Sequence, residues 1–369
     1  MGCNNSKTVA KVNDVAAAAT PAKAENEEPV QKKADTSKLS RTSSFQEPAN
    51  DEFTIIRLLL LGAAESGKTT LLEQIRLLYK QNFSDAEMFH RRAFIYNTIL
   101  QSMRMMIKMM DESGISYADP KNQENAKRIM EEGETQYGLF PQEYADRMVS
   151  VWNDDAVQKL YARRSAFNLN DSTKFFLDSF DSINRPDYQP SPKHLIMSYV
   201  PTIGVQNVIF TANNRSFQLF DIGGQRIDRR KWATMYDGID AIFFCLAISE
   251  YDQTMNEDLV TNRLTDSLNL LQKISSEPKF LKNSDIFIFL NEVDVFCEKL
   301  NEIPLQNFQD QYHGNSSEEA LKFIEDMAIQ AMAGRDEYLY SIYRTVCIDT
   351  EMMAGILGNV FEEILERKL

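Results

Sequence analysis

The sequence predicts an α/β fold, a doubly wound sheet into which an all-helical block is inserted. Apolar, strand-like stretches recur as LLLLG at 58–62, VQNVIFTA at 205–212, RSFQLFDI at 215–222, AIFFCLAI at 241–248 and DIFIFLNEV at 285–293, and helical stretches separate the later ones. Between about residue 84 and residue 185 only helical periodicity is found. A loop bracketed by glycines joins the first strand directly to the helical run LLEQIRLLYK.

Taken in order, residues 7–50 hold three prolines, an alanine run, many Lys, Glu and Ser, and the single aromatic Phe45. Such a segment buries too little apolar surface to fold, so 1–50 is expected to be a mostly disordered tether. Its start, MGCNNS, matches the N-myristoylation pattern on Gly2, with Cys3 beside it for palmitoylation. One acyl chain anchors marginally and two anchor stably. The sheet domain is expected in two parts, 51–80 and 191–369, around a helical domain at 81–190.

The strand at Ile55–Leu61 runs into Gly62-Ala63-Ala64-Glu65-Ser66-Gly67-Lys68-Thr69-Thr70, spaced G-x-x-x-x-G-K-T between strand and helix. That context is the one a phosphate loop requires. Successive backbone N–H groups form an anion nest and the helix adds its positive dipole end. Lys68 is expected on the outer phosphates, and the Thr69 hydroxyl on Mg²⁺.

In the inserted block, Ser84 and Glu87 form a capping-box pair. Phe89, Tyr96, Ile99, Met103, Met106 and Met110 then recur at helical spacing up to Gly114, a stripe read as the core face of one long helix. NDSTKFFLDSFDSI reads as a further helix capped by Asn170 or Asp171.

Strand RSFQLF ends in Asp221-Ile222-Gly223-Gly224-Gln225. An acid there suits Mg²⁺ coordination through water, while Gly224 offers an N–H to a γ-phosphate and Gln225 orients a water. Strand DIFIFL ends in Asn291-Glu292-Val293-Asp294. The Asp294 carboxylate can accept from N1–H and the 2-amino group of guanine, donors that adenine lacks. The Cys347 backbone N–H, in Thr345-Val346-Cys347, is expected near guanine O6. A net charge of −14 and a pI near 4.9 argue against nucleic acid as a partner. Four scattered cysteines without C-x-x-C indicate neither a disulfide framework nor a zinc site. No apolar run is long enough to span a bilayer, and no signal peptide is evident.

From residue 53 to about 365 these pieces, together with VPTIGV and TVCIDT, resemble the heterotrimeric G-protein α subunits. The resemblance implies a Ras-like GTPase domain with a helical lid, GTP or GDP bound with Mg²⁺, and a lipidated amino terminus. It further implies a βγ dimer, a G-protein-coupled receptor and an effector as partners, at the cytoplasmic face of the plasma membrane. Ile196-Met197-Ser198-Tyr199-Val200-Pro201-Thr202 matches switch I, which makes Thr202 the second Mg²⁺ ligand and Gln225 the residue that positions water.

The chain also departs from that pattern. Ala64 stands where the family has a glycine, Tyr199 where it has the arginine that stabilises transition-state charge, and Glu292 where N-K-x-D has its lysine. The carboxyl end stops a few residues short of the family's receptor-contacting tail, and a proline-containing tether replaces much of the βγ-binding helix. The reading is a divergent, membrane-tethered GTP-binding switch with slowed hydrolysis. Its rival is a non-enzymatic scaffold with weak nucleotide binding.

Overall fold

The computed structural model describes residues 55–79, 83–131, 139–167, 169–198, 200, 202, 204–279 and 284–368. Strand β1 (Ile56–Gly62) turns through the glycine loop into α1 (Lys68–Leu78). The helical segment follows as α2 (Asp85–Glu112), α3 (Lys121–Glu131), α4 (Gln142–Trp152), α5 (Asp155–Tyr161), α6 (Thr173–Asp178), α7 (Phe180–Ile183) and α8 (Pro192–Met197). The remainder is β2 (Val205–Ala212), β3 (Arg215–Ile222), β4 (Ala241–Ala247), α9 (Arg263–Ser275), β5 (Asp285–Asn291), α10 (Val293–Leu300), α11 (Ser317–Ala331), β6 (Tyr340–Arg344) and α12 (Thr350–Lys368).

These strands make one six-stranded sheet in the order β2-β3-β1-β4-β5-β6. All neighbours are parallel except the hairpin β2-β3. Its two-residue turn, Asn213-Asn214, has both residues at positive φ (49° and 60°), as a right-twisted hairpin requires. A strand alternates its side chains between two faces, and β1 feeds both. Leu58 and Leu60 join α1 and α12 in one core; Leu59 and Leu61 join α9 and α11 in the other. Helices on both faces of a mostly parallel sheet are what the apolar runs predict.

A third core is drawn wholly from residues 95–188 and holds Ile95, Tyr96, Ile99, Met103, Met106 and Met110 of α2. Ser84 caps α2 as expected, accepting from the Glu87 N–H while the Glu87 carboxylate accepts from the Ser84 N–H. Two expectations fail here. Phe89 is 62% exposed, because the stripe meets the core only from Ile95 onward. NDSTKFFLDSFDSI forms two helices, broken at Ser179, and its first cap is Ser172. Asn170 instead accepts from the Ser172 N–H and hydroxyl, closing a turn ahead of the helix. No helix among the described residues is long and apolar enough to cross a membrane.

Candidate nucleotide site

The glycine loop owes its shape to close backbone approach. Gly62 has φ 147°, and a Cβ there would lie 2.3 Å from the Cys245 carbonyl oxygen. Gly67 has φ 91°, and a Cβ there would lie 2.1 Å from Asn291 Nδ2. Only glycine fits either position. Glu65 also takes a left-handed conformation, φ 62°, and Arg263 holds it by a 2.5 Å ion pair while binding the buried Glu250 at 2.5 Å. Lys68 opens α1, is buried, and donates back to the Ala63 carbonyl and to Ser66 Oγ. Burial lowers its pKa, against the pull of the nearby Asp221.

Three side chains expected around a cation meet beside this lysine. Thr69 Oγ1 lies 3.3 Å from Thr202 Oγ1, which donates to Asp221 Oδ2 at 2.8 Å. Asp221 is 1% exposed, burial raises its pKa, and its Oδ1 is without a hydrogen-bond partner. An orphaned, buried carboxylate oxygen beside two hydroxyls is an all-oxygen donor set, and it fits Mg²⁺. Such a site takes its remaining ligands from phosphate and water rather than from a cage of acids. Among the described residues no group of three His, Cys, Asp or Glu is placed to hold a metal ion.

The Gly223-Gly224 turn is held from outside. Trp232 Nε1 donates to the Gly223 carbonyl at 3.0 Å, and Arg229 Nε donates to the Gly224 carbonyl at 2.9 Å. Arg229 is itself fixed by Asp266 of α9 at 2.7 Å. A Cβ on Gly224 would lie 2.5 Å from Lys68 Nζ and from the Gly62 and Ala63 carbonyl oxygens. Ile222 is buried in the core below, and Gln225 is exposed at the mouth. Ala64, Glu65 and Gln225 share the wall of a small adjoining cavity of about 200 Å³.

On the base side, Asn291 ties two loops together. Its Nδ2 donates to the Ser66 carbonyl at 3.3 Å, and its Oδ1 accepts from the Cys347 N–H at 3.0 Å. The Cys347 N–H is thus engaged by Asn291, where the sequence suggested a donor free for the base. Asp294 stands in the first turn of α10, and desolvation there raises its pKa. Val293 packs against the core below. Glu292, expected to replace a lysine stem lying on the base, turns instead to Ser249, whose hydroxyl donates to it.

Most of these groups border one cleft of about 690 Å³. Its walls include Ala64 to Thr70, Ile196 to Ser198, Val200, Thr202, Gly223 to Gln225, Asn291, Glu292, Asp294 and Cys347. Gly62, Ala63, Asp221, Ile222 and Val293 lie behind those walls. Tyr199 and Pro201 fall outside the described residues, as do Gly2 and Cys3. The helical segment supplies Tyr161, Arg164, Asp171 and Lys174 to the same cleft. Arg164 lies over the Tyr161 ring, pairs with Asp171 at 3.1 Å and reaches Glu298 of α10 at 3.3 Å. Sequence reasoning missed Arg164, Arg263 and Glu250. Arg263 left one signal: it is a cation at the first position of α9, against the helix dipole, so acids from elsewhere must hold it.

A G-protein α-subunit family model matches residues 29–364. Guanine nucleotide-binding protein alpha-13 subunits are 56% identical in Caenorhabditis briggsae, over 89% of this chain and 94% of the relative, and 57% identical in Caenorhabditis elegans, over 87% and 92%. The C. elegans alpha-3 subunit is 33% identical over 85% of this chain and 90% of its own. Matches of this extent place the chain in the G-protein α-subunit family, whose members are guanine nucleotide-binding GTPases of signal transduction.

Proposed function

We propose that the protein is a GTP/GDP switch with slow hydrolysis of its own, held at the inner face of the plasma membrane by acyl groups on Gly2 and Cys3. It would relay signals from a G-protein-coupled receptor to an effector in exchange with a βγ dimer. One observation supports the switch above others: the Thr69, Thr202 and Asp221 oxygens converge beside Lys68, in a cleft that Asp294 also lines.

Within that cleft the residues have separable tasks. Lys68 would exchange the Ala63 carbonyl for phosphate oxygens, and Asp221 offsets part of the lowering that burial imposes on its pKa. Thr69, Thr202 and Asp221 would hold Mg²⁺, which supplies charge neutralisation to the phosphates when bound. Gly224 brings its N–H up to the loop, and Gln225 positions the attacking water. Asp294 selects guanine. Residues 51–80 and 191–369 would be the GTPase domain, and 81–190 the lid.

Slow hydrolysis is inferred from two positions. An arginine supplied to the transition state is worth about 10³–10⁵ in rate, a magnitude that belongs to other GTPases of this class. The phenol of Tyr199 carries no positive charge to replace it. Ala64 adds a methyl to the cavity wall that it shares with Gln225.

The test is GTPγS binding followed by single-turnover phosphate release. GTP is expected to outcompete ATP. Tyr199→Arg should speed release by only about 20-fold, the gap between the intrinsic rates of such GTPases with and without an arginine in cis, and adding Ala64→Gly should speed it further, with a more than additive gain in free energy. Unmodified protein hydrolysing as fast as the double variant would refute the account of Tyr199. Failure to bind either nucleotide would overturn the switch and favour the scaffold reading instead.

A further inference from the structure

Glu292 occupies a position of its own in the cleft, and the following rests on the guanine-nucleotide reading above. The residue caps α10 with φ 68°, and its carboxylate accepts from Ser249 Oγ. No cation among the described residues hydrogen-bonds to it. Lys299 of the same helix, whose charge acts on it, donates instead to the Ser249 carbonyl at 2.8 Å and to Asp252 at 2.9 Å. Two acids face it from other elements: Glu250, which Arg263 binds, and Asp171 of the helical segment, which Arg164 binds. From below come the thiols of Cys245 and Cys347, both kept neutral by burial. Desolvation and the two acids push the Glu292 carboxyl well above the usual carboxylate range, while Ser249 and Lys299 offset part of that.

We propose that Glu292 is carried as a neutral acid while guanine nucleotide fills the cleft, and that its ionisation drives the nucleotide out, so that pH sets the rate of GDP release. The proton passes to bulk water. The neutral acid keeps its place beside Ser249 and adds no charge to a site that binds a polyanion. The anion joins Glu250, Asp171 and Asp294 around the cleft, and the nucleotide's phosphates add to the repulsion. Linkage fixes the sign. A proton held more tightly in the bound state means that affinity falls as pH rises through the bound-state pKa. Asp294 works in the opposite sense, since it accepts from guanine only when ionised and its titration strengthens binding with rising pH.

The experiment is release of N-methylanthraniloyl-GDP from the full chain into excess GTP at fixed Mg²⁺, from pH 6 to pH 8.5. Release is expected to quicken about tenfold over that range, within the tenfold per pH unit that one group can supply. Glu292→Gln, permanently neutral, should release slowly and lose the rise, leaving only the slowing with pH that Asp294 contributes. Ser249→Ala removes a hydrogen bond to the ionised form, so its rise should move to higher pH. A flat profile in the unmodified protein, or an unchanged slope in Glu292→Gln, overturns the proposal and leaves guanine binding standing. Failure of every variant to capture the labelled GDP overturns both.

Discussion

At Gly224 a single hydrogen stands between the switch turn and the phosphate loop. A methyl there meets the Gly62 and Ala63 carbonyl oxygens at 2.5 Å, and backbone cannot give way as a side chain can. Gly224→Ala should therefore force the turn away from the loop, so that GTPγS no longer closes it. Trp232 is bonded to the neighbouring Gly223 carbonyl and reports on the turn. The change in its fluorescence on GTPγS binding should be lost in the variant, while GDP binding persists. A second residue-scale consequence concerns Glu250, which burial pushes up to about 7 from 4.5 despite Arg263. An acid raised on folding costs nothing below pH 4.5 and costs stability as pH rises through about 7. Glu250→Gln should flatten that part of the decline in Tm between pH 5 and 8. An unchanged decline would mean that other buried acids carry it.

The elements show what one dimension can carry. Strand alternation, the loop's glycines and the Ser84–Glu87 box are local, each written within a few residues, and the sequence displays them as the structure does. The box is also testable. Ser84→Ala should lower stability by about 1 kcal/mol in chemical denaturation, because the Glu87 N–H loses its acceptor. Where reading failed, a local rule met a tertiary demand. The segment expected as one helix is broken at Ser179, although Phe176, Leu177, Phe180 and Ile183 all enter one core at a spacing that a continuous helix would also satisfy. The pair Arg263–Glu65 joins residues 198 apart, and the Glu292–Ser249 contact spans 43. No spacing rule reaches that far. Glycine motifs therefore reveal which ligand the cleft suits, whereas the charges that tune it emerge only once β4, β5 and α9 are brought together.

At the scale of the whole molecule, charge constrains where the protein can reside. Its net charge is −14, with 54 acids against 40 Lys and Arg. A cytoplasmic leaflet is anionic and attracts polybasic segments by about 1 kcal/mol per cation near its surface. The electrostatics of this chain taken as a whole oppose such contact, so under the proposed anchoring the acyl chains would have to supply the attraction and overcome repulsion besides. A single myristoyl group binds only marginally even without that repulsion. Two outcomes follow for cells expressing the full chain. Gly2→Ala should move the protein from the membrane to the cytosolic fraction, since palmitoylation of Cys3 usually follows myristoylation at the membrane. Cys3→Ser, which leaves one chain, should shift most of it as well, and raising the ionic strength of the wash should recover part of the membrane pool by screening the repulsion. That salt response runs opposite to the response of a polybasic anchor, which salt strips off. A Gly2→Ala protein that still sediments with membranes would show that protein contacts, not lipid, hold it there.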